Sequence, residues 1–226
     1  MSKILKLIEQ ETGGKVFKSF KYCFDTVQMP HIVYEDQENT YIPLKDFAEE
    51  VHDPKSRDMR YEAERRMKLP PIFQYFLDGS RKVYKIDDIQ YDNKVFPIVC
   101  GQISVCCCMR EMQEDGLHFK SFHNIEQEVY STICLPVTAN SEGVDDRIFF
   151  NNLAQKIRAL QNGGKIEKIL FYPTKCVGNE TLENKGIAKI QDEMVDCEKR
   201  IVARLTAKHL LTQDSYLIKD GTIQYR

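Results

Sequence analysis

Residues 72–80 read IFQYFLDGS, an aromatic and aliphatic run that ends on Asp-Gly-Ser. A short, continuous apolar run bounded by turn residues is typical of a strand buried in a sheet. Residues 216–222, YLIKDGT, repeat this form, because a second apolar run is followed there by Asp-Gly. The two stretches predict two core strands, each of which stops at an aspartate on the edge of the core.

The stretch at 72–77 is the first of three strand-like runs. The others lie at 83–89 and 96–109, and a turn sequence near Asp92-Asn93 separates them. Three consecutive strands with short connections form an antiparallel meander. The sequence therefore predicts a meander that begins with the 72–77 strand.

Two helices are predicted after the meander. Apolar residues recur at three- and four-residue spacing over 145–161, and again over 190–210, which is the pattern of a helix with one buried face. A further strand is predicted at 168–172. Whether the helix–strand unit within 113–189 is an insertion or part of the same sheet is left open. The fold class that results is α/β, with a mixed sheet and flanking helices.

The chain is divided into an N-terminal arm at 1–69 and a main domain at 70–226. The arm is expected to be partly helical, with a charged helix over 53–68 that ends before Pro70-Pro71. Its arginines are interpreted as a solvent-exposed helix face, with phosphate contact as the alternative. These arginines are Arg60, Arg65 and Arg66.

The composition restricts the function classes. Of 226 residues, 42% are apolar and 29% are charged, and the net charge of −2 gives no overall attraction to nucleic acid or anionic membrane. Nucleic-acid binding would then depend on a local basic patch. The polar N-terminus and the lack of an 18-residue apolar run predict a cytoplasmic protein with no membrane partner.

The eight cysteines show no CxxC or finger spacing, so a structural zinc site is not expected. Cys106, Cys107 and Cys108 are consecutive in a predicted strand. Neighbouring strand residues point to opposite faces, so the triplet cannot converge on one metal. Reduced, buried thiols are the interpretation.

Glu198 is one of three candidate site residues. At helical spacing it lies inside the apolar stripe of the 190–210 helix, whereas Glu193 lies off the stripe and is interpreted as a surface charge. A carboxylate on a buried face must be paired, protonated or bound to metal. The alternative to metal binding is a salt bridge, for example to Arg81 or Arg110.

Asp78 and Asp220 are the other two candidates. Each follows an apolar strand and precedes a glycine, so the carboxylate is expected to be partly shielded from water, where a divalent cation stabilises it. An ordinary Asp-Gly turn is the alternative at each position. Carboxylates from a strand, a helix and a later strand suit a two-metal phosphodiesterase, whose cations activate water and stabilise the leaving oxygen.

The order of meander, helix with glutamate and strand with aspartate resembles the RNase H-like fold. The two Asp-Gly sequences resemble those of the NurA class of DNA-repair nucleases, over residues 70–110 and 187–226. The resemblance implies catalysis and metal binding by Asp78, Glu198 and Asp220, with Mn²⁺ or Mg²⁺ as cofactor. It also implies that DNA ends or single strands are the substrate, that the protein is a homodimer, and that a HerA-type hexameric ATPase is its partner.

The expected function is therefore a metal-dependent nuclease in DNA repair or end processing. RNase H-like nucleases continue past this second aspartate to a further strand, helix and ligand, whereas this chain stops five residues after Gly221. The domain is thus expected to be incomplete at the C-terminus, and the isolated chain weak or inactive. Two alternatives remain: a Piwi-like nuclease, and a non-catalytic interaction module that docks on a DNA translocase.

Overall fold

Three long antiparallel strands dominate the protein in its computed structural model, which describes residues 3–25, 58–66, 68–160, 166–176, 178 and 180–219. They are β3 (Phe73–Tyr91), β4 (Lys94–Met112) and β5 (Phe119–Pro136). The predicted turn at Asp92-Asn93 joins β3 to β4, and Asp92 has the positive φ of 51° that tight hairpin turns require. The antiparallel meander is confirmed.

The division into strands differs from the prediction. Runs 72–77 and 83–89 belong to one strand, because β3 continues through Asp78 and Gly79 with Gly79 opposite Val105 on β4. The strand end expected at Asp78 is therefore wrong, and so is the alternative of an Asp-Gly turn there. The third meander strand is β5, which lies inside the 113–189 region.

The remaining strands extend this sheet on both sides. β6 (Ile166–Tyr172) pairs in parallel with β5, and β7 (Tyr216–Lys219) pairs in parallel with β3. Two helices, α3 (Asp146–Leu160) and α4 (Leu182–Ala207), precede β6 and β7. The expected α/β fold, a mixed sheet with an antiparallel meander and flanking helices, is confirmed.

The described part of the N-terminal segment contains both helices and strands. Its elements are α1 (Lys3–Thr12), β1 (Lys15–Phe17), β2 (Tyr22–Cys23) and α2 (Arg60–Arg66). Both short strands pair with β3, and α1 buries Leu5 and Ile8, so this segment contributes to the common sheet and core. No residue of α2 is buried, which agrees with an exposed helix face.

The core consists of two clusters, one on each face of the sheet. On one face α4 packs on β3 and β4, where Leu77, Val105 and Cys107 are buried. On the other face α1 and α3 cover only the half of the sheet that includes Ile89 and Ile98.

Among the described residues, no helix covers the other half of that second face, which we call the open face. Side chains alternate along strands, so the open face carries the neighbours of the buried residues. It is formed by Phe76, Asp78, Ser80 and Lys82 of β3 and by Gln102, Ser104, Cys106 and Cys108 of β4. Within the described residues, no helix has the length and apolar character that crossing a membrane requires.

Candidate functional site

Asp78 lies on the open face. Its neighbours in sequence, Leu77 and Gly79, point towards α4, whereas Asp78 is exposed and pairs across the sheet with Cys106. The expected partial shielding from water is wrong for this residue. Strand alternation is the cause, because β3 continues through Asp78 instead of turning away from the sheet.

β7 lies directly beside the Asp78 segment. The last described pair of the parallel ladder joins Leu77 to Lys219. In the sequence, Asp78 and Asp220 are the next residues on the two strands. Asp220 itself lies outside the described residues.

Glu198 is buried between α4 and the sheet, with 4% of its surface exposed, as its place in the apolar stripe predicts. It contacts Gly79, since a Cβ added there would lie 2.5 Å from Glu198 Oε1. Lys219 Nζ lies 3.0 Å from Glu198 Oε2, an ion pair whose two side chains are 10% and 5% exposed. The partner of Glu198 is thus a lysine on β7, rather than Arg81 or Arg110.

A metal shared by Asp78 and Glu198 does not fit this arrangement. Divalent cations bind carboxylate oxygens at about 2.0–2.6 Å, and these two carboxylates lie on opposite faces of β3. The ammonium of Lys219 already compensates the buried charge of Glu198. Among the described residues, no group of three His, Cys, Asp or Glu side chains is placed to hold a metal ion.

Glu193 was expected at the surface, and that prediction is wrong. It is 9% exposed, accepts a 2.5 Å hydrogen bond from the Tyr130 hydroxyl, and pairs with Lys168 Nζ at 2.6 Å. Arg200 Nη2 lies 3.3 Å from the same carboxylate. Tyr130 and Lys168 lie on β5 and β6, so local periodicity along the helix gave no sign of these two partners.

Glu193 belongs to a larger polar group that we call the α4 clasp, which joins α4 to β5 and β6. Its members are Glu126, Glu128, Tyr130, Lys168, Glu193, Arg200 and Arg204. Burial alone would raise the pKa of Glu128, but hydrogen bonds from Arg200, Cys197 and Arg204 lower it to about 2. The clasp pairs its charges internally, as a structural group does.

The cysteine triplet alternates between the faces, as predicted. Cys107 is buried under α4, whereas Cys106 and Cys108 lie on the open face with their Sγ atoms 3.7 Å apart. Burial, and then the Cys108 thiol, raise the pKa of Cys106 to about 11. Cys106 is therefore a neutral thiol at physiological pH, beside the exposed Asp78.

An aromatic strip crosses the end of the open face next to Asp78. The ring centroids of Phe76 and Phe122 are 5.4 Å apart, and those of Phe119 and Phe122 are 4.9 Å apart. Phe73 and Tyr216 form a second pair at 6.3 Å. The aromatic strip is defined as Phe73, Phe76, Phe119, Phe122 and Tyr216.

Two arginines, Arg66 and Arg110, lie beside the aromatic strip. The Arg110 guanidinium lies 5.1 Å from the centroid of the Phe76 ring, within the range of a cation–π contact. Arg66 and Arg110 also line a cavity of about 480 Å³ together with Phe73 and Phe119. Sequence reasoning missed this group, although the aromatic residues in 72–76 and 119–122 are visible in the sequence.

Comparison with known proteins identifies no relative. No protein-family model matches the chain, and neither a curated protein nor a solved structure is significantly similar to it.

Proposed function

We propose that this chain is part of a divalent-metal-dependent nuclease that hydrolyses DNA phosphodiester bonds, with Asp78 and Asp220 as its metal-binding carboxylates. The observation that supports the proposal is the parallel pairing of Leu77 with Lys219, after which both Asp-Gly sequences follow immediately. Neighbouring strands lie about 4.8 Å apart, so carboxylates at matched positions on two parallel strands are close enough to bind one cation.

The exposure of Asp78 also favours this function. A carboxylate on the open face is accessible to a metal and to a nucleic-acid backbone, whereas Glu198 beneath Gly79 is not. Mn²⁺ or Mg²⁺ would supply the activation of water and the neutralisation of phosphate charge that hydrolysis requires.

Glu198 takes a positioning role in this proposal. Its ion pair with Lys219 joins α4 to the residue that directly precedes Asp220 in the chain. Loss of that pair is expected to weaken metal binding indirectly, through the attachment of β7, and not through loss of a metal ligand.

The proposal includes the setting that the NurA resemblance implies. DNA ends or single strands are the proposed substrates, a HerA-type hexameric ATPase is the proposed partner, and the active form is proposed to be a cytoplasmic homodimer.

A non-catalytic interaction module is the second candidate function. The observation that favours it is the pairing of Glu198 with Lys219, which leaves no three-ligand metal group among the residues that the structure describes. Such a module would keep its fold and its partner surface without binding manganese.

Manganese binding separates the two candidates. We expect the full chain to bind Mn²⁺, measured by the loss of the free-ion electron paramagnetic resonance signal, and Asp78→Asn and Asp220→Asn each to weaken binding at least tenfold. Asp196→Asn, on the exposed side of α4, is the matched control and should bind normally. Unchanged binding in Asp78→Asn, or no binding by the wild-type chain, would refute the metal site.

Cutting is assayed with single-stranded and blunt duplex DNA across the same manganese titration, with chelator as the blank. Both the 226-residue chain and a form extended at its C-terminus are tested. Asp78→Asn should abolish cutting in whichever form cuts. Full activity of that variant would contradict the nuclease proposal even if manganese binds.

A further inference from the structure

We propose that the aromatic strip stacks the bases of single-stranded DNA and guides its backbone to Asp78, an inference that rests on the proposed function. The strip begins beside Asp78, because Phe76 is two residues away on the same face of β3. Two residues of a strand span roughly 7 Å. A base on the Phe76 ring would therefore place its neighbouring phosphate close to the carboxylate.

Four of the five rings are exposed instead of packed in a core, and Phe76 is half-buried. Phe73 and Phe119 are 44% and 51% exposed, and Phe122 and Tyr216 are 53% and 46% exposed. Monomeric soluble proteins rarely leave a contiguous apolar patch of this kind without a binding partner. The rings contact one another in two groups, Phe73 with Tyr216, and Phe122 with both Phe76 and Phe119.

The charges around the strip favour a nucleic acid over an apolar protein segment. Arg66 and Arg110 line the adjoining cavity, and among the described residues that line it there is no carboxylate. Exposed aromatic rings with interleaved arginines bind single strands, because every base has a face that stacks and every nucleotide has a phosphate that pairs with a cation.

DNA binding through the aromatic strip is also compatible with the low net charge of the chain. The protein carries a net charge of −2, so long-range attraction to DNA is absent. Stacking contributes affinity that does not depend on net charge. We therefore expect DNA binding with a shallow salt dependence, set by a few arginines, and a strong dependence on the rings.

Binding is tested by fluorescence anisotropy of the full chain with a labelled oligo(dT) strand, in chelator so that no cutting occurs. Phe122→Ala and Phe119→Ala should each raise Kd roughly 5- to 150-fold, the range for loss of one stacked base. Phe20→Ala is the matched control, since Phe20 is 89% exposed and lies outside the strip. It should leave Kd unchanged.

A salt titration separates the contribution of Arg110 to DNA binding from the contribution of the aromatic rings. Arg110→Gln should reduce the slope of log K against log salt by about 0.7, the value for one single-strand phosphate contact, whereas Phe122→Ala should leave the slope unchanged. Arg158→Gln, at an exposed position of α3, is the control for loss of one positive charge. A slope change as large in Arg158→Gln as in Arg110→Gln would contradict a specific contact.

Three results would overturn the inference. These are unchanged Kd in both phenylalanine variants, tighter binding of oligo(U) RNA than of DNA, and conversion of a dimer to a monomer by Phe122→Ala with no change in DNA affinity. The third, measured by analytical ultracentrifugation, would assign the strip to a second copy of the chain. Asp78→Asn should still bind the strand in chelator, so failure of the nuclease proposal remains distinguishable from failure of the strip.

Discussion

Two neighbouring residues of β3, Asp78 and Gly79, lie on opposite faces of one sheet in very different surroundings. Gly79 is covered by Glu198 and Met194 of α4, whose side chains would have to move to admit a Cβ at that position. Asp78 is exposed beside Cys106 and two residues from the aromatic strip. One Asp-Gly sequence thus serves packing through its glycine, and its aspartate faces solvent.

The largest effect is expected from breaking the Glu198–Lys219 ion pair on the buried face. Removing one partner of a buried pair leaves an uncompensated charge, at a cost of about 3–5 kcal/mol. Lys219→Met should therefore lower the free energy of unfolding by about that amount in urea titration. The double variant Glu198→Leu with Lys219→Met should recover most of the loss, because apolar replacement of both partners is close to neutral.

Recovery in the double variant is the informative result. If the double variant loses as much stability as Lys219→Met and Glu198→Leu lose together, the two charges contribute independently and the ion pair is not what attaches β7 to α4. Lys199→Met, which removes an exposed lysine of the same helix, is the control and should change stability by less than about 0.5 kcal/mol.

A smaller loss is expected from Gly79→Ala. The added Cβ would lie 2.5 Å from Glu198 Oε1 and 3.3 Å from Met194 Cγ, so the α4 side chains must move. Overpacking of this kind typically costs about 1–3 kcal/mol. Ser80→Ala, at the next residue on the open face, should be close to neutral in the same urea titration. Equal stability of the two variants would contradict the contrast between the faces.

The α4 clasp should add a pH-dependent contribution to the buried face. Unfolded glutamate titrates near 4.3, whereas the pKa of Glu128 in the folded protein is lowered to about 2. Because the folded pKa is depressed, this stabilisation is complete above the unfolded pKa and is lost as the pH falls through the folded one.

We therefore expect the melting temperature of the wild-type chain to fall more between pH 5 and pH 2.5 than that of Glu128→Gln, measured by circular dichroism. Glu64→Gln, on the exposed helix α2, is the control and should show the wild-type fall. An identical fall in Glu128→Gln would show that the clasp does not stabilise the fold through this carboxylate.

The residues that sequence predicted correctly depend on local periodicity. Glu198 was placed on the buried face because helical spacing fixes the face of every residue of α4. Asp78 was placed incorrectly because the apolar run before it resembles a fully buried strand, whereas only Tyr75 and Leu77 are buried deeply. Strand alternation would have placed Phe76 and Asp78 together on the other face.

Long-range partners account for the other errors. Glu193 is buried because Tyr130 and Lys168, which lie far away in sequence, bind its carboxylate. The third meander strand, β5, contains the polar run 123–128, HNIEQE, in which no apolar pattern marks a strand. This segment is a strand because it pairs with β4 at fourteen positions, and its composition alone does not predict that pairing.

The smallest effect on the fold is expected from Asp78→Asn. An exposed side chain away from any buried network usually changes stability by less than about 0.5 kcal/mol. In chelator, the urea midpoint of this variant should therefore match that of the wild-type chain. Leu77→Ala, one residue away and 2% exposed, should cost about 2–5 kcal/mol.

Stabilisation by manganese then shows whether Asp78 is a metal ligand or an ordinary exposed residue. A ligand that binds only the native state stabilises it by about 2.7 kcal/mol at one hundred times its Kd. The wild-type chain should gain that stability when manganese replaces chelator, and Asp78→Asn should gain much less. An equal gain in both chains would mean that manganese binds elsewhere. Asp78 would then be an ordinary exposed carboxylate, and the contrast with Gly79 would concern packing alone.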